Sequence, residues 1–402
     1  MTLNFNEFIE SKQDQMPHKG EHPKGFRPGV EWNGKTGTIT TDGIMDQADL
    51  DWDMWIDYWL GKGASKTFYI RKNEPVNFRV WDSQTKNGKE KFYYFKANIY
   101  SRETLKPDDD LEKLAKEIKR IKPKPRKKVK HSTCMVIALS DWQIGKFQTE
   151  KAVDEYFQSI YKIKEDLPNL RKKYKIDKLI LCGMGDLLEN TCDFFPMMTW
   201  ETVYDNRQQM KIARRMLTKT IQIMSPLFND ILVMACAGNH GERRKNGKAY
   251  TTFGDNADLE LFDNVSEIFK DSEAYKHIKW LIPDNDLTLT AEVLPKTYLT
   301  ILHGHQARYG NSAQTKVVNW FRKMASNKTQ GQIFDSNVVL CGHFHHHWEI
   351  ELDERLIICA TAQDHSGQQW FAESGGGSSL PGTTTFLMHN KDGRKWSDIN
   401  IY

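Results

Sequence analysis

The sequence of 402 residues predicts an α/β protein in which a large α/β domain follows a small α+β domain. Two observations indicate the large domain. After residue 131, short apolar runs alternate with amphipathic segments of helical periodicity. These runs are apolar throughout, which is typical of strands that are buried on both faces of a sheet. A third observation indicates the small domain, because one amphipathic helix precedes two strand-like segments between residues 30 and 104.

The composition excludes several classes of protein. Hydrophobic residues make up 39% of the chain and charged residues 27%, which is ordinary for a globular protein. No apolar run approaches the roughly 18 residues of a membrane span. The start, MTLNFNEFIESKQDQ, is polar and lacks the apolar core of a secretion signal. Four of the six cysteines lie in strand-like runs and none forms a C-x-x-C pair, so we expect buried, reduced thiols and a cytoplasmic location without a membrane partner.

Changes in composition divide the chain into four segments. A polar start with scattered Gly and Pro predicts a flexible arm. The Lys- and Arg-rich stretch KRIKPKPRKKVK predicts a Pro-stiffened linker, which is either a solvated connection or a contact for phosphate groups. The predicted segments are the arm (1–29), the small α+β domain (30–104), a charged helix with the basic linker (105–131) and the catalytic α/β domain (132–402).

The small domain begins with a tryptophan-rich helix. Four large apolar residues recur with helical spacing and form one face of it: Trp52, Trp55, Ile56 and Trp59. Packing in a core is the favoured interpretation of this face, and a platform for stacking nucleobases is the alternative. Two strand-like segments follow, VNFRVW (76–81) and KFYYFKANIY (91–100), with a hairpin signal between them at Asn87-Gly88.

The large domain alternates between strands and helices. The predicted strands are CMVIALS (134–140), KLILCG (178–183), DILVMACAG (230–238), YLTILHG (298–304), SNVVLCGH (336–343), WEIEL (348–352), LIICAT (356–361) and TTFLMH (384–389). The predicted helices lie near residues 150–174, 204–224, 256–270 and 313–326. Because α/β sheets place their ligands at the carboxyl ends of strands, the polar residues that follow these runs are the candidate site.

Residues able to bind a metal follow five of the apolar runs. They are Asp141 with Gln143, Asp186 with Glu189, Asn239 with His240, His303 with His305, and His343 with His345. A single Asp or His at the end of a strand is usually a cap or a turn residue, whereas five such elements in succession indicate a metal site. Carboxylate, amide and imidazole ligands together suit Mn, Fe or Zn. His343 and His345 are two residues apart, so a regular strand would turn both to one side.

The order D-x-(H/Q), G-D-x-x-(D/E), G-N-H, H and G-H-x-H over residues 132–361 resembles the calcineurin-like metallophosphoesterase superfamily. The resemblance implies a four-layer αββα sandwich, with two β-sheets face to face, helices outside and two divalent ions at the strand ends. It implies that one ion is held by Asp141, Gln143, Asp186 and His345. It implies that Asp186 bridges to a second ion, which is held by Asn239, His303 and His343.

The resemblance also assigns the residues that act beside the ions. His240 matches the catalytic histidine, and Glu189 matches the carboxylate that orients it. Gln143 departs from the family, which usually has His at this position, and an amide oxygen is the weaker ligand. Two divalent ions about 3.5–4 Å apart can activate a water and clamp a phosphate, and His240 would act as general acid or stabilise charge. We expect Mn²⁺, with Fe, Zn or Mg as alternatives. His346 and His347 receive no role.

Cations and aromatic residues near the motifs favour a polynucleotide substrate, because bases stack on aromatic rings while phosphates pair with cations. The candidates for substrate binding are Arg243, Arg244, Lys245, Lys248, Phe195, Trp200 and Arg308, with His305 and Lys316 as further phosphate contacts. In the alternative interpretation, the aromatic residues pack a lid and the cations serve only solubility.

A closer similarity concerns the whole chain. The segments GVEWNGKTGTITT (29–41) and SDWQIGK (140–146) and the tryptophan-rich helix resemble metallophosphoesterase proteins of bacteriophages and prophages, in which case the location is the host cytoplasm. The expected function is a phosphodiesterase with two metal ions that acts on DNA as an exonuclease. One alternative is a phosphomonoesterase or small-nucleotide phosphodiesterase. Another is a non-catalytic nucleic-acid-binding protein with a degenerate metal site. The oligomeric state is left open, with a dimer as one option.

Overall fold

The computed structural model divides the chain into two compact units, Met1–Thr104 and Leu105–Tyr402. The structure describes residues 22–32, 36–44, 46–47, 50–70, 75–85, 88–101, 111–126, 132–190, 202–364 and 380–402. Most of the predicted arm and Asn87 of the hairpin signal lie outside these residues. Among the described helices, none has both the length and the apolar character to cross a membrane. All five described cysteines are buried free thiols.

The first unit is an antiparallel sheet with one main helix. Its elements are β1 (Gly29–Trp32), β2 (Thr36–Thr40), α1 (Trp52–Leu60), a 3₁₀ turn (Ala64–Lys66), β3 (Phe68–Tyr69), β4 (Asn77–Thr85) and β5 (Gly88–Ser101). The long strand β5 pairs with β2, β3 and β4, and β1 pairs with β2.

The tryptophan-rich helix α1 forms the core of this unit. Asp51 caps its start by accepting hydrogen bonds from the backbone N–H groups of Asp53 and Met54. Trp55 and Ile56 are fully buried in a cluster that includes residues of β2 and β5. Because Trp55 has no exposed ring surface, it cannot stack on a nucleobase in the folded protein, which favours core packing over the stacking platform.

The second unit contains the predicted α/β domain. Its helices are α2 (Leu111–Lys119), α3 (Thr149–Lys173), α4 (Asn206–Met224), α5 (Ala257–Lys270) and α6 (Ala313–Ala325), with 3₁₀ turns at Ser225–Leu227, Glu273–Tyr275 and Lys328–Asp335. Its strands are β6 (Thr133–Leu139), β7 (Ile176–Gly183), β8 (Asp230–Ala235), β9 (Arg244–Lys245), β10 (Lys248–Ala249), β11 (Ile278–Leu281), β12 (Thr288–Leu294), β13 (Thr297–Leu302), β14 (Val338–Cys341), β15 (Trp348–Leu352), β16 (Arg355–Cys359), β17 (Thr384–His389) and β18 (Trp396–Ile401).

These strands form two sheets and a small hairpin. The six-stranded sheet has the order β11-β8-β7-β6-β17-β18, in which β11, β8, β7 and β6 are parallel. The five-stranded sheet has the order β12-β13-β14-β16-β15, in which β13, β14 and β16 are parallel. The carboxyl ends of parallel strands lie at one edge of a sheet, so residues that follow β6, β7, β8, β13 and β14 can meet.

Alternating side chains of β6 show how the layers stack. Met135 and Ile137 pack in a cluster with α3, α4 and α5. Val136 packs instead in a second cluster with residues of the five-stranded sheet. The far face of that sheet packs against α6 in a third cluster, which includes Val339 and Phe321. The four-layer αββα sandwich is therefore confirmed, and burial on both faces explains why the strands are apolar throughout.

Part of the predicted linker packs against the second unit. Leu114 and Ile118 of α2 are buried in the helical cluster of that unit. Arg126 donates hydrogen bonds to the carbonyl groups of Ser225 and Phe228. The chain is thus anchored as far as Arg126, whereas the remaining basic residues of the linker, 127–130, lie outside the described residues.

The packing between the sheets generates a stability prediction. Leu340 of β14 is fully buried between them, so Leu340→Ala leaves a cavity and should lower the free energy of unfolding by about 2–5 kcal/mol. Leu380→Ala is the matched control, because Leu380 is 82% exposed and its truncation should change stability by less than about 0.5 kcal/mol. Denaturant unfolding followed by circular dichroism measures both. Equal effects of the two variants would contradict this description of the core.

Candidate active site

Each predicted metal ligand lies in a turn just after a strand, and several of these turns are strained. Five of the ligands have φ in the left-handed region: Asp141 (48°), Gln143 (43°), Asp186 (53°), His343 (71°) and His345 (57°). For residues other than glycine this conformation costs on the order of 1–3 kcal/mol, and such residues cluster at functional sites. Strand β14 ends at Cys341, so His343 and His345 do not continue it, and the expectation from strand geometry does not apply to them.

The turns approach each other so closely that only glycine fits at two positions. A Cβ on Gly238 would lie 2.2 Å from the backbone nitrogen of Asp186. A Cβ on Gly342 would lie 2.7 Å from Asp141 Oδ2. The glycines of the G-N-H and G-H-x-H motifs are therefore required by contact with the turns that carry Asp186 and Asp141.

Asp258, which the sequence analysis did not single out, holds two of the turns together. Its carboxylate is fully buried and accepts hydrogen bonds from the N–H groups of Asp186 (2.9 Å), Leu187 (2.9 Å) and Gly238 (3.1 Å). Burial first, and then repulsion by Asp186, raises the pKa of Asp258 to about 6. The only sequence signal is Asn256-x-Asp258 at the start of a helix, which predicts a helix cap rather than a clamp between turns.

Three predicted ligands converge into a group that fits a divalent ion. Ligand atoms of Asp186, His303 and His343 all lie within 4.8 Å of one another. His303 Nε2 lies 2.8 Å from Asp186 Oδ2 and 3.0 Å from the side-chain oxygen of Asn239. His303 Nδ1 lies 2.7 Å from the carbonyl oxygen of Met184 and donates to it, which directs Nε2 toward the group. We call Asp186, Asn239, His303 and His343 the Asp186 half-site.

Protonation in the Asp186 half-site follows from its charges. Burial alone would lower the pKa of His303, but Asp186 and Asp141 outweigh burial and raise that pKa to about 10. Burial, and then the neighbouring His303 cation, lowers the pKa of His343 to about 3, so its imidazole is neutral and able to bind a metal. Burial would raise the pKa of Asp186, but His303 and His240 hold it below its usual range.

Asp141 and His345 contact each other in the candidate centre. His345 Nε2 is 3.2 Å from Asp141 Oδ1, although the two atoms are not aligned as a hydrogen bond. Asp141 Oδ2 accepts hydrogen bonds from the hydroxyl of Ser140 and from the N–H of His343. Asp141 Oδ1 is thus a fully buried carboxylate oxygen whose neighbouring charged group is the ring of His345. We call Asp141, Gln143 and His345 the Gln143 half-site.

The side chain of Gln143 is bound by a lysine that the sequence analysis missed. Lys146 Nζ donates to Gln143 Oε1 (2.6 Å) and to Asp364 Oδ2 (3.0 Å), and it lies 3.7 Å from Glu189 Oε2. Burial would lower the pKa of Lys146, but Glu189 and Asp364 outweigh it and raise that pKa. Asp364 follows the strand β16, so the rule that found the other ligands would also have found this carboxylate.

His240 lies between the carboxylates of Asp186 and Glu189. The backbone N–H of His240 donates to Asp186 Oδ1 (2.8 Å), and the ring nitrogen Nδ1 lies 3.3 Å from Glu189 Oε2. The other ring nitrogen, Nε2, lies 3.8 Å from Asp186 Oδ2. Burial would lower the pKa of His240, but Asp186 and Glu189 raise it to about 9, so the ring is a cation at neutral pH.

The predicted substrate residues are distributed unevenly. Arg243 pairs with Asp255 and with Glu260 (2.8 Å), and Arg244 pairs with Glu242 (2.6 Å). Lys245 and Lys248 lie on the hairpin formed by β9 and β10. Phe195 and Trp200 lie outside the described residues. The ring nitrogens Nδ1 of His346 and His347 lie 2.7 Å and 3.0 Å from the carbonyl oxygens of Phe344 and Cys359, so both rings have local structural contacts.

A groove begins in the loop that follows His303. Gln306 lines it and ties the loop together, because its side chain bonds the N–H of Gly304 and the carbonyl of Leu287. The groove encloses about 460 Å³. We call it the Arg308 groove; its cationic and aromatic lining consists of Arg308, Lys316, Lys323, Phe253, Tyr309 and Trp320.

Comparisons with known proteins identify a family for the second unit. Residues 135–347, more than half of the chain, match the family model described as calcineurin-like phosphoesterase. No curated protein matches the sequence.

The solved structures that match the chain are distant in sequence. A conserved uncharacterized protein from Streptococcus pneumoniae, described as a predicted phosphoesterase, is 11% identical with a TM-score of 0.28, covering 68% of this chain and 98% of that chain. An archaeal phosphodiesterase is 14% identical with a TM-score of 0.31, covering 67% and 99%. Vps29 from Entamoeba histolytica, in a complex with Zn²⁺, is 10% identical with a TM-score of 0.25, covering 67% and 97%.

The raised pKa of His303 generates a prediction about metal binding. An imidazole must be deprotonated to bind a metal, so Mn²⁺ should displace the proton that Asp186 keeps on His303. Titration calorimetry near pH 7.5, in buffers of different ionisation enthalpy, should report release of about one proton per ion. The apparent affinity should rise about tenfold per pH unit for each proton that is displaced.

Two variants check the source of the proton. His303→Asn should abolish the release and weaken binding, whereas His346→Asn should change neither, because His346 contacts only local backbone. A binding enthalpy for the unaltered protein that does not depend on the buffer would contradict the assignment.

Proposed function

The chain belongs to the calcineurin-like phosphoesterase family, and on that premise we propose that it is a metal-dependent phosphodiesterase that hydrolyses DNA from an end. Membership of the family makes the chain a metallophosphoesterase. DNA as the substrate, attack from an end, and Mn²⁺ as the preferred metal are the parts that we propose. The groove beside the candidate centre is the observation that carries the choice of a polynucleotide.

The Asp186 half-site would hold the divalent ion. A bound ion would polarise a phosphoryl oxygen and acidify a water molecule. Asn239 and Asp186 offer oxygen ligands, while His303 and His343 offer nitrogen ligands, and this mixture suits Mn²⁺ better than Mg²⁺ or Ca²⁺. Asp258 fixes the backbone that carries Asp186, so the ligand is positioned before an ion binds.

His240 would provide the proton that the leaving oxygen requires. Asp186 and Glu189 keep its ring cationic at neutral pH, and Nε2 projects toward the carboxylate of Asp186. A cationic imidazole beside the centre can stabilise charge on a phosphoryl oxygen or donate its proton to the alcohol that departs. Glu189 acts as a positioning residue, because it lies against Nδ1 and leaves Nε2 facing the centre.

The Arg308 groove supports DNA rather than a small monoester. Tyr309 and Phe253 are 75% and 53% exposed, and Lys323 Nζ lies 5.8 Å from the centre of the Tyr309 ring, so aromatic surface and a cation adjoin where a nucleotide could bind. Arg308, Lys316 and Lys323 place cations along the same groove, where they can pair with successive phosphates. A phosphomonoesterase needs to bind only one phosphate group, so an adjoining groove of this chemistry favours a substrate that extends beyond it.

The proposal extends to the setting of the enzyme. We place it in the cytoplasm, because all five described cysteines are buried and unpaired, as expected for a reducing compartment. The similarity of its N-terminal segment and of SDWQIGK to bacteriophage proteins stays a prediction, and with it the host cytoplasm. DNA is the proposed partner.

A panel of substrates tests the proposed function. The purified chain with added Mn²⁺ is incubated with labelled single- and double-stranded DNA, a dinucleotide and a phosphomonoester. We expect cleavage of DNA that releases nucleotides from an end. Cleavage of the monoester alone would overturn the proposal in favour of a phosphomonoesterase. Tight DNA binding without turnover would favour a non-catalytic nucleic-acid-binding protein.

His240→Asn separates chemistry from metal binding. Asn keeps hydrogen-bonding ability but cannot donate a proton as an acid, so kcat should fall by about 10²–10⁴-fold. The Mn²⁺ content should not change, because His240 is not a predicted ligand. Kinetics on single-stranded DNA and metal analysis of the same sample measure both effects. Retention of full activity would refute the role of His240.

Tyr309→Ala tests the groove. If Tyr309 stacks on a base, the dissociation constant for single-stranded DNA should rise about 5- to 150-fold, which corresponds to about 1–3 kcal/mol per base. Turnover of a small phosphodiester should not change, because the variant leaves the metal ligands intact. Phe334→Ala is the matched control, because Phe334 is 56% exposed and does not line the groove. Equal DNA affinities of both variants would exclude Tyr309 as a stacking residue.

A further inference from the structure

Lys146 projects its ammonium group into the acidic cluster of the candidate centre. Its side chain is only 18% exposed, and its ammonium group meets Gln143 of its own loop together with two carboxylates from distant parts of the chain, Glu189 and Asp364. Nζ lies 2.6 Å from Gln143 Oε1, 3.0 Å from Asp364 Oδ2 and 3.7 Å from Glu189 Oε2. A surface lysine that served only solubility would not be held by an amide and two carboxylates.

The contact with Lys146 fixes the orientation of the Gln143 amide. An ammonium group is only a donor, so the amide atom at 2.6 Å must be the oxygen. The amide nitrogen therefore lies on the other side, 3.4 Å from His240 Nε2. The one atom of Gln143 that can bind a metal is thus occupied by a positive charge.

A second divalent ion would compete with that charge. An ion bound to Gln143 Oε1 would lie about 2–2.6 Å from this oxygen, and so within about 5 Å of the Lys146 ammonium. Lys146 is also linked to His345 of this half-site. Asp364 Oδ2, which accepts a hydrogen bond from Lys146, lies 3.9 Å from His345 Nδ1. A divalent ion in the Gln143 half-site would therefore meet a like charge that already neutralises the local acids.

The two half-sites differ in how closely their potential ligand atoms approach one another. Among the His, Cys, Asp and Glu side chains that the structure describes, the one group of three whose ligand atoms lie mutually within 4.8 Å is that of Asp186, His303 and His343. Asp141 and His345 form no such group with Asp186, although they contact each other at 3.2 Å. The His303 side thus gathers three carboxylate or imidazole ligands, whereas the Gln143 side gathers two, Asp141 and His345, beside an amide oxygen that accepts a hydrogen bond from Lys146.

We propose that Lys146 provides the second positive charge of the centre and that the protein holds a single divalent ion, in the Asp186 half-site. This inference rests on the proposed function in taking the centre to be a metal-dependent one. The ammonium group offsets Asp364 and Glu189 and lies beside Gln143 and His240, so it can pair with a phosphoryl oxygen as a point charge. A glutamine at position 143 is then the residue that accepts a hydrogen bond from Lys146, instead of a weakened metal ligand.

The number of bound ions tests this inference without any substrate. The full chain is equilibrated with Mn²⁺ and dialysed, and the metal per chain is measured by mass spectrometry and by electron paramagnetic resonance. We expect about one ion per chain with the hyperfine-split spectrum of an isolated Mn²⁺. Gln143→His combined with Lys146→Met should bind about two ions and show the broadened spectrum of a magnetically coupled pair, because this double variant supplies a ligand and removes the cation.

Matched variants identify which change matters. Gln143→His alone should still bind one ion, because Lys146 remains, and Lys146→Arg should also bind one, because the charge remains. His303→Ala should bind none. Circular dichroism shows whether each variant is folded, and the unaltered protein gives a decisive count by itself if the double variant does not fold.

The outcomes separate this inference from the proposed function. Two coupled ions in the unaltered protein would overturn the role of Lys146, and so would a single ion that survives His303→Ala. A protein that binds no ion would overturn both proposals. A protein that binds one ion but does not cleave DNA would support the inference and refute DNA as the substrate.

Discussion

The candidate centre depends on the close approach of two backbone turns, which is made by hydrogen bonds to one buried carboxylate. Asp258 accepts three backbone N–H groups, from Asp186, Leu187 and Gly238, that belong to the turns after β7 and β8. Each of these donors would otherwise be buried without a partner, at about 1–3 kcal/mol apiece. The glycine at 238 permits this approach, and the strained backbone of Asp186 persists because its neighbours hold it.

Electrostatic interactions then determine which charged groups these turns bring together in the centre. Asp141, Asp186 and Glu189 are all at most 2% exposed, and so much buried negative charge is unfavourable unless cations accompany it. In the described structure these cations are protonated His240 and His303 together with Lys146. The buried carboxylates are thus accompanied by positive charge before any divalent ion or phosphate binds.

Much of this arrangement could be predicted from the sequence, for a physical reason. Strands buried on both faces are apolar throughout, so each polar residue that follows them stands out, and parallel strands gather those residues at one edge. The candidate residues from Asp141 to His345 stand out in this way, and the family resemblance assigns their roles as ligands. Contacts made through space could not be found, such as the pairing of Lys146 with Asp364, 218 residues away, and the clamp made by Asp258. The turn geometry of His343 and His345 could not be predicted either, because a strand pattern does not describe turns.

The central claim is that the turns after β7, β8, β13 and β14 build a position for a divalent ion. The most direct measurement is an anomalous difference map from crystals grown with Mn²⁺ and recorded where manganese scatters anomalously. We predict that the strongest peak lies among Asp186, Asn239, His303 and His343. A strongest peak elsewhere in the protein, or no peak there at saturating Mn²⁺, would contradict the account.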